Sequence, residues 1–231
     1  MLLLPTAYFA PVSLYALLWR EGVAVEDCGE RYLRQTLRTR CRIATPAGVQ
    51  TLSLPVERTH GAERPLVRDL RLSEHGDWRR VHFTALRSAY ERSPYFDYFA
   101  DELAAIYADR RLVRLVDFND ALCRWALAAL GMEADIALCR AETSPAAAPG
   151  DIDLRTRYDG LQPPVTPHGR AEACTAEGEV GGVRVRLSPY YQVFASRTGF
   201  LPDLSIADLI FHMGREARLV LAAACAGREV G

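Results

Sequence analysis

The spacing of apolar positions near the N-terminus predicts a β-α-β unit. Leu2–Tyr8 is a short apolar run, which is typical of a buried strand. Pro11 suits the first turn of a helix, because the N–H groups of that turn make no hydrogen bond within the helix and the missing N–H costs nothing. The helix is predicted over Val12–Arg20. Gly22 ends this helix, and Val23–Glu26 is predicted as a second strand. Such a unit favours a parallel strand pair in an α/β layer.

Alternating positions further along the chain predict a second strand pair. Its strands are expected over Leu37–Ala44 and Val49–Val56, joined by a turn around Pro46–Gly48. In the first of these strands three arginines occupy every second position, so they share one face, and Cys41 lies on the core-facing side. We therefore expect Cys41 to be a small buried side chain; the alternative is an acyl-accepting thiolate beside the arginines.

A helical period dominates from residue 77 to residue 130. Asp77 is predicted to cap a helix that runs to about Arg92, with Arg79 on its polar side. The apolar side of this helix is predicted to contain Trp78, Val81, His82, Ala85, Leu86, Ala89 and Tyr90. Two further helices are predicted over Tyr95–Ala108 and Phe118–Leu130.

The last third of the chain begins with a predicted strand over Asp135–Cys139. Pro, Gly, Ala and Glu dominate residues 141–185, so a flexible insertion is expected there. A last helical segment starts at Ser205 and is interrupted at Gly214. Residues 1–231 are therefore predicted to form one α/β domain, with α+β as the alternative: a small mixed sheet with an N-terminal β-α-β unit, flanked by helices, and a helical central portion.

Composition and charge exclude several classes of function. The formal net charge is −1, so no strong field draws the chain to a nucleic-acid duplex or a membrane. All 28 basic residues are arginine, which excludes a lysine Schiff base and a Walker A loop. The six cysteines form no CxxC pair, and no His/Asp/Glu pairs have metal-ligand spacing, so no metal and no cofactor is predicted. No apolar run suits a leader or a bilayer span, and we expect a cytoplasmic protein.

His82 is the first candidate for catalysis. Among the five histidines it alone lies on the apolar face of a strongly amphipathic helix. A histidine held there can take or give a proton near neutral pH, which amide formation from an amine requires. The alternative is a core histidine whose ring is satisfied by a backbone carbonyl.

Arg38, Arg40 and Arg42 are the candidates for binding an anion. Three guanidinium groups on one strand face repel one another unless water or an anion lies between them. The fork of an arginine suits two oxygens of a phosphate or a carboxylate. The alternative is a strand face in contact with solvent.

Tyr8, Pro11 and Asp208 are further binding candidates. Ligands of open α/β sheets bind at the carboxyl ends of strands, so the junction that holds Tyr8 and Pro11 is a predicted wall of the site. The helix N-terminus at this junction would also favour an anion. For Tyr8 the alternative is simple packing. Asp208 follows Ser205 in an S-x-x-D pattern that indicates a helix cap, although its carboxylate could instead orient a histidine.

Four stretches of the chain carry a resemblance to a known family. They are LLLPTAYFAPVSLYALLWREGVAVED near the N-terminus, RTRCRIATPAGVQTLSLPVE from Arg38, DWRRVHFTALRSAYERSPYFDYF from Asp77, and YYQVFASRTGFLPDLSIADLIFHMG from Tyr190. In this order and at these distances they resemble the WbqC-like family of bacterial proteins, which is tied mainly to surface-polysaccharide gene clusters. The resemblance includes a helix with a tryptophan, a histidine and a tyrosine at Trp78, His82 and Tyr90, and it also covers Arg40.

The resemblance implies a transferase of surface-polysaccharide (O-antigen) or related small-molecule biosynthesis. A suggested family role is the transfer of glycine or another aminoacyl group to the amino group of a sugar. His82 would then deprotonate the acceptor amine, Arg40 and its neighbours would hold the anionic donor, and Tyr8 and Tyr90 would shape the pocket.

The implied partners are a small-molecule acceptor, such as an amino-sugar nucleotide, and an activated donor on a carrier-protein thioester or a tRNA. Two alternatives stay open. One is a non-catalytic scaffold that binds a sugar nucleotide or a partner enzyme, and the other is a carrier-protein-dependent acyltransferase of secondary metabolism.

Overall fold

The computed structural model describes residues 1–57, 64–139, 144–155, 161 and 175–225. The predicted N-terminal unit is present as strand β1 (Leu2–Pro5), helix α1 (Val12–Glu21) and strand β2 (Val23–Asp27), and the two strands pair in parallel. Gly22 ends α1 with a left-handed φ of 69°, and its N–H donates to the carbonyl of Leu18. A glycine tolerates this backbone conformation at little steric cost.

Strands β3 (Arg40–Thr45) and β4 (Gly48–Ser53) pair antiparallel and form a two-stranded sheet of their own. The predicted start of the first strand at Leu37 is wrong, because β3 begins at Arg40. The backbone N–H groups of Thr39 and Arg40 instead donate to the carbonyl of Thr36, which forms a turn ahead of the strand.

The helical centre of the chain consists of α2 (Trp78–Tyr90), α3 (Phe96–Ala108) and α4 (Leu115–Leu130). Asp77 directly precedes α2, but its side chain makes no capping hydrogen bond and pairs with Arg80 instead.

The buried face of α2 differs from the predicted one at two positions. Val81 is 50% exposed, whereas Arg79 is buried. The Arg79 guanidinium stacks on the ring of Trp78 and donates to the carbonyls of Asp109 and Leu112, just beyond the end of α3. Arg79 therefore stays charged inside the protein because carbonyls and aromatic faces replace water around it.

Strands β5 (Asp135–Cys139) and β6 (Ile152–Asp153) complete a four-stranded sheet with the order β5-β2-β1-β6. All three strand pairs in it are parallel, and helices flank the sheet, so the predicted α/β class is confirmed. The expected mixed sheet is replaced by one parallel sheet and separate antiparallel pairs. Each parallel neighbour requires a long crossover connection, and such connections supply the helices.

The described part of the chain ends with a hairpin and three α-helices. Strands β7 (Ala176–Val180) and β8 (Val183–Leu187) pair antiparallel, and α5 (Ala195–Thr198), α6 (Ile206–Met213) and α7 (Ala217–Ala224) follow. A flexible insertion was expected over residues 141–185, but the described part of that range contains β6, β7 and the first three residues of β8. Val185 and Leu187 are buried, because alternate positions of β8 face the core.

One hydrophobic core connects the parallel sheet with the helices that surround it. Helix α1 packs between the sheet and α7, and α4 contacts both α3 and α6. No helix in the described ranges is long and apolar enough to cross a membrane.

The turn between β7 and β8 generates a stability prediction. Gly181 and Gly182 form this turn, and both have positive φ. A Cβ at Gly181 would come within 2.5 Å of Ile152 and 2.6 Å of Leu154, whereas a Cβ at Gly182 would meet nothing within 4 Å. We expect Gly181→Ala to lower the free energy of unfolding by about 1–3 kcal/mol more than Gly182→Ala.

Urea unfolding of the two variants measures this difference. Both substitutions impose the same kind of backbone strain, so Gly182→Ala is the matched control for the steric clash. Equal losses in the two variants would contradict the packing of the hairpin against the β6 segment.

Candidate functional site

A cavity of about 230 Å³ lies at the carboxyl end of β1. In the sheet order β5-β2-β1-β6, the chain moves to one side of β1 with β2 and returns on the other side with β6. Ligands of open α/β sheets bind beyond the carboxyl ends of strands at such a reversal. The lining comes from four segments: the loop after β1, the segment from residue 35 into β3, strand β4 and the turn before α6. Its residues include Phe9, Pro11, Gln35, Arg40, Arg42, Thr51, Asp203 and Ser205.

The backbone around this cavity is held in an unusual conformation. Phe9, Gln35 and Asp203 have φ values of 45°, 62° and 51°. In the described chain only one other non-glycine residue, Asp77, has a positive φ. Such conformations cost of order 1–3 kcal/mol each and concentrate at functional sites, where the surrounding structure holds them in place. The clustering of three such residues marks this cavity as the candidate functional site.

Two of the three candidate arginines line the cavity. Arg40 and Arg42 lie on the same face of β3 and both reach it. Arg42 donates to the backbone carbonyl of Asp203 at 2.7 Å. Within the described chain, the Arg40 guanidinium has no hydrogen-bond or ion-pair partner among the contacts of the structure. Arg40 is therefore the group best placed to bind an anion in the cavity.

Arg38 is separated from the other two arginines. It precedes β3, is almost fully buried, and forms a bidentate pair with Glu30 at 2.7 and 2.6 Å. It also donates to the carbonyl of Arg155 at 2.7 Å. Despite this partner, burial raises the pKa of Glu30. The expected row of three arginines on one strand face is thus reduced to two, because Arg38 serves a buried ion pair.

The N-terminus of α1 does not serve as an anion site for a ligand. The N–H of Ser13 donates to Oδ1 of Asp203 at 2.8 Å, and the N–H of Val12 donates to the carbonyl of Leu204 at 3.0 Å. Asp203 is fully buried. The protein's own carboxylate therefore occupies the position in which the sequence analysis expected an external anion.

Ser205 lines the cavity and precedes α6, but its side chain does not cap that helix. It holds the N-cap position, but its side chain makes no capping hydrogen bond, and its Oγ is buried without a partner in the described structure. The S-x-x-D pattern is therefore not a side-chain cap. Asp208 instead accepts hydrogen bonds at Oδ2 from the Tyr190 hydroxyl at 2.7 Å and from Gln192 at 2.9 Å.

Tyr8 and His82 belong to a buried hydrogen-bonded chain beside the cavity. The Tyr8 hydroxyl lies 2.9 Å from Nδ1 of His82 and 2.6 Å from the hydroxyl of Tyr107. Trp78 packs edge-on against His82, and Phe118 lies against both Tyr8 and Tyr107. Burial lowers the pKa of His82 to about 4 and raises the pKa of both tyrosines, so all three groups are neutral at pH 7.

Cys41 lies between the hydrogen-bonded side chains of Tyr8, His82 and Tyr107 and the cavity. It lines the cavity, and its thiol lies next to the Tyr8 hydroxyl. Burial raises the pKa of the Cys41 thiol, which is therefore protonated at neutral pH. The expectation of a small buried side chain fits this environment, although the same residue also faces the cavity.

Four of the predicted site residues do not line the cavity. In the described structure, Tyr8, His82, Tyr90 and Asp208 are not among the lining residues. The Tyr90 hydroxyl accepts a hydrogen bond from the N–H of Ala44 at 3.0 Å and so contacts β3 directly. Pro11 does line the cavity.

Sequence reasoning missed four residues of this region: Gln35, Tyr107, Asp203 and Ser205. Gln35 and Asp203 carry no chemical pattern that marks them, and Tyr107 is an ordinary apolar position of α3. Ser205 did carry a signal, the S-x-x-D pattern, which indicated a structural role. No three His, Cys, Asp or Glu side chains come together as a metal site in the described ranges.

The fold and the cavity define an α/β protein with an arginine-bearing site at the carboxyl end of its first strand. The chain belongs to the WbqC-like protein family, whose family model matches residues 23–220, and this confirms the resemblance found in the sequence. Membership implies a role related to polysaccharide biosynthesis.

The chain is also similar to an uncharacterised protein of Mycobacterium tuberculosis (strain ATCC 25618 / H37Rv), Rv1507c. The two are 28% identical over 196 residues, which cover 81% of this chain and 82% of the relative. No solved structure matches the chain.

The lowered pKa of His82 predicts how the stability of the protein depends on pH. The pKa falls from the ordinary 6.5 to about 4 on folding, so between these values the unfolded chain binds a proton that the folded protein does not. His82 therefore contributes stability that is present above pH 6.5 and is lost as the pH falls toward 4. The full difference is about 3 kcal/mol at most.

Urea unfolding between pH 4.5 and 7.5 measures this effect in the wild type and in His82→Gln. The glutamine cannot titrate, so the free energy of unfolding should change less steeply with pH in the variant. Identical slopes would show that His82 titrates normally and is not enclosed as described.

Proposed function

We propose that this protein is a transferase of surface-polysaccharide or related small-molecule biosynthesis, which holds the anionic part of its substrate at Arg40. The observation that carries the proposal is the Arg40 guanidinium, which lines a cavity at the carboxyl end of β1 without a protein partner in the described chain. A guanidinium in a concave site favours a phosphate or carboxylate, because its fork donates two hydrogen bonds to one such group.

The charges of the lining support an anionic ligand. Arg42 is already hydrogen-bonded to the Asp203 carbonyl, and its guanidinium lies 4.0 Å from Oδ2 of the same residue. The carboxylate of Asp203 therefore balances Arg42, whereas Arg40 remains as an uncompensated positive charge. A ligand anion at Arg40 would neutralise that charge in a partly desolvated place, where the attraction is stronger than in bulk water.

The reaction in this proposal is aminoacyl transfer to an amine, with formation of an amide. The acceptor nitrogen attacks the carbonyl carbon of an activated ester or thioester, the new C–N bond forms, and the carrier's oxygen or sulfur leaves. The nitrogen must also lose a proton. His82, neutral at pH 7, would accept this proton by way of the Cys41 thiol, which lines the cavity, and the Tyr8 hydroxyl behind it. The donor would arrive on a carrier protein or a tRNA.

A second candidate function is the binding of an anionic sugar derivative without catalysis. The observation that favours it is the position of His82, which is only 6% exposed and is separated from the cavity by Tyr8 and Cys41. A scaffold of this kind would need Arg40 for binding and would not need His82 for any turnover.

Binding is tested first, by thermal unfolding in the presence of candidate ligands. The panel contains amino-sugar nucleotides, nucleoside phosphates, glycine, ATP with magnesium and a glycyl carrier protein. A ligand at 100 times its Kd stabilises the folded protein by about 2.7 kcal/mol, which raises Tm by several degrees. We expect a rise that Arg40→Ala abolishes.

The control variant is Arg186→Ala, which removes an exposed strand arginine that does not line the cavity. It should keep the full rise in Tm. A rise that survives Arg40→Ala, or no rise with any member of the panel, would contradict a preformed anion site at Arg40.

Catalysis is tested with the ligand that this panel identifies. In the transferase, His82→Gln should reduce turnover by at least a hundredfold, since a proton-transfer group contributes 10²–10⁴-fold, and should leave the ligand-induced rise in Tm unchanged. Turnover is measured as amide formation from a glycyl thioester or glycyl-tRNA. Unchanged turnover in the variant would remove His82 from the mechanism, and no turnover in the wild type would favour the binding protein.

A further inference from the structure

The hairpin of β3 and β4 presents one polar face to the cavity. In its antiparallel register Arg42 lies opposite Thr51, and Arg40 lies opposite Ser53. Paired residues of antiparallel strands point to the same side of the sheet, as do alternate residues of one strand. The side chains of Arg40, Arg42 and Thr51 therefore share a face, and all three residues line the cavity.

Arg42 and Thr51 form a close pair on this face. The carbonyl of Arg42 points out of the hairpin, where it accepts a hydrogen bond from the N–H of Ser205. The N–H of Ala44, two residues further along β3, likewise binds outside the hairpin, at the Tyr90 hydroxyl. Arg42 and Thr51 are thus a non-hydrogen-bonded pair, the kind in which opposite side chains lie nearer to each other. Thr51 therefore lies beside the Arg42 side chain.

The hydroxyl of Thr51 is accessible from the cavity. Thr51 is exposed, and its side chain makes no hydrogen bond within the described ranges. The hydroxyl of Thr36, which also lines the cavity, donates instead to the carbonyl of Leu33. Ligand sites contain a small number of polar groups that fix the orientation of the ligand. Thr51 is available for this role, because it lines the cavity and its hydroxyl is not engaged by the described protein.

The charges divide the cavity into two ends. Arg40 lies at one end as a positive charge without a partner in the described chain. At the other end, Arg42 donates to the Asp203 carbonyl at 2.7 Å and lies 4.0 Å from its carboxylate, so the surroundings of Thr51 have little net charge. An anion is favoured at Arg40, whereas a neutral polar group is favoured beside Thr51, because it loses less hydration than an ion on entering.

We propose that Thr51 and Arg42 form a subsite for a hydroxyl group of the substrate, next to the anion at Arg40. A hydroxyl is a small group that both donates and accepts at one atom. It can accept from an N–H of the Arg42 guanidinium and donate to the Thr51 oxygen. This inference rests on the proposed anion site at Arg40 and adds a specificity: the substrate is an anion with a hydroxyl close to it.

The strand geometry sets the distance between the two groups of the ligand. Arg40 and Arg42 are two residues apart on β3, which corresponds to roughly 6–7 Å along a strand. An anionic group and a hydroxyl at the two ends of a short carbon chain span about this distance. Glycerol phosphate and γ-hydroxybutyrate have such a hydroxyl, and propyl phosphate and butyrate lack it. These matched pairs cover the phosphate and the carboxylate that a guanidinium binds.

The experiment measures the Kd of each compound by NMR titration of the wild type, Thr51→Val, Ser53→Ala and Arg40→Ala. Valine keeps the shape of threonine and removes the hydroxyl. Loss of one hydrogen bond should raise the Kd of the hydroxylated compounds roughly threefold to tenfold in Thr51→Val. The Kd of propyl phosphate and of butyrate should not rise, since neither compound has a hydroxyl for this subsite.

Ser53→Ala is the matched control for Thr51→Val. Ser53 is exposed on the same face of the same strand but does not line the cavity, so its removal should leave every Kd unchanged. Arg40→Ala should abolish binding of all the compounds. Without ligand, Thr51→Val should keep the Tm of the wild type, because the hydroxyl has no partner to lose. A Tm lowered by several degrees would reveal a structural partner and overturn the subsite.

The remaining outcomes separate the subsite from the anion site. If Thr51→Val changes the Kd of a hydroxylated compound and of its matched analogue equally, or changes neither, the hydroxyl subsite is overturned and the anion site at Arg40 stands. A loss in Ser53→Ala as large as that in Thr51→Val would also overturn it, because the ligand would then lie outside the cavity. Failure of both kinds of anion to bind the wild type would contradict the anion site itself, and with it the subsite.

Discussion

The buried carboxylate of Asp203 is the interaction on which the candidate site depends. Its Oδ1 accepts the N–H of Ser13 at 2.8 Å, and its Oδ2 accepts the N–H of Leu161 at 2.7 Å. The backbone carbonyl of Asp203 accepts a hydrogen bond from the Arg42 guanidinium. A fully buried charge is tolerated only when hydrogen bonds and an opposite charge replace water. The hydrogen bonds of Asp203 therefore fix three parts of the site relative to one another: the start of α1, the Arg42 side chain on β3 and the turn before α6.

This arrangement decides where a ligand anion can lie. Asp203 accepts a hydrogen bond at the N-terminus of α1, and its Oδ2 lies 4.0 Å from the Arg42 guanidinium. The helix N-terminus and Arg42 are therefore less available to an incoming anion than Arg40. The positive charge left in the cavity therefore lies on the β3 wall, at Arg40. The positive φ of Asp203 is the backbone strain that this arrangement requires, and the buried contacts of its carboxylate offset it.

The sequence was sufficient for features that depend on neighbouring residues. The β-α-β unit, the three central helices and β5 follow from apolar periodicity and from Gly22, and the structure confirms them. The sequence was insufficient where contacts between residues far apart in the chain determine the position of a side chain. Arg38 lies two residues before Arg40, as the alternation of a strand requires, but it precedes the first residue of β3. Its guanidinium binds Glu30 and the carbonyl of Arg155 instead. The alternation in VRVRL, which is β8, begins within the stretch 141–185 whose composition suggested a flexible insertion. Ser205 matched a capping pattern, but only the fold shows that its hydroxyl stays unpaired.

Tyr8 and Phe9 show how the core and the cavity are connected. The N–H of Tyr8 donates to the carbonyl of Leu37, which lines the cavity, while its side chain points into the aromatic core toward His82 and Tyr107. The next side chain, Phe9, lines the cavity instead, and its φ of 45° is part of the backbone conformation that turns two consecutive residues in different directions. A packing change at Tyr8 therefore moves the cavity wall as well as the hydrogen bond to His82. Any mechanism that uses His82 has to act through the hydrogen bond between Tyr8 and His82, because Tyr8 links His82 to the residues around the cavity.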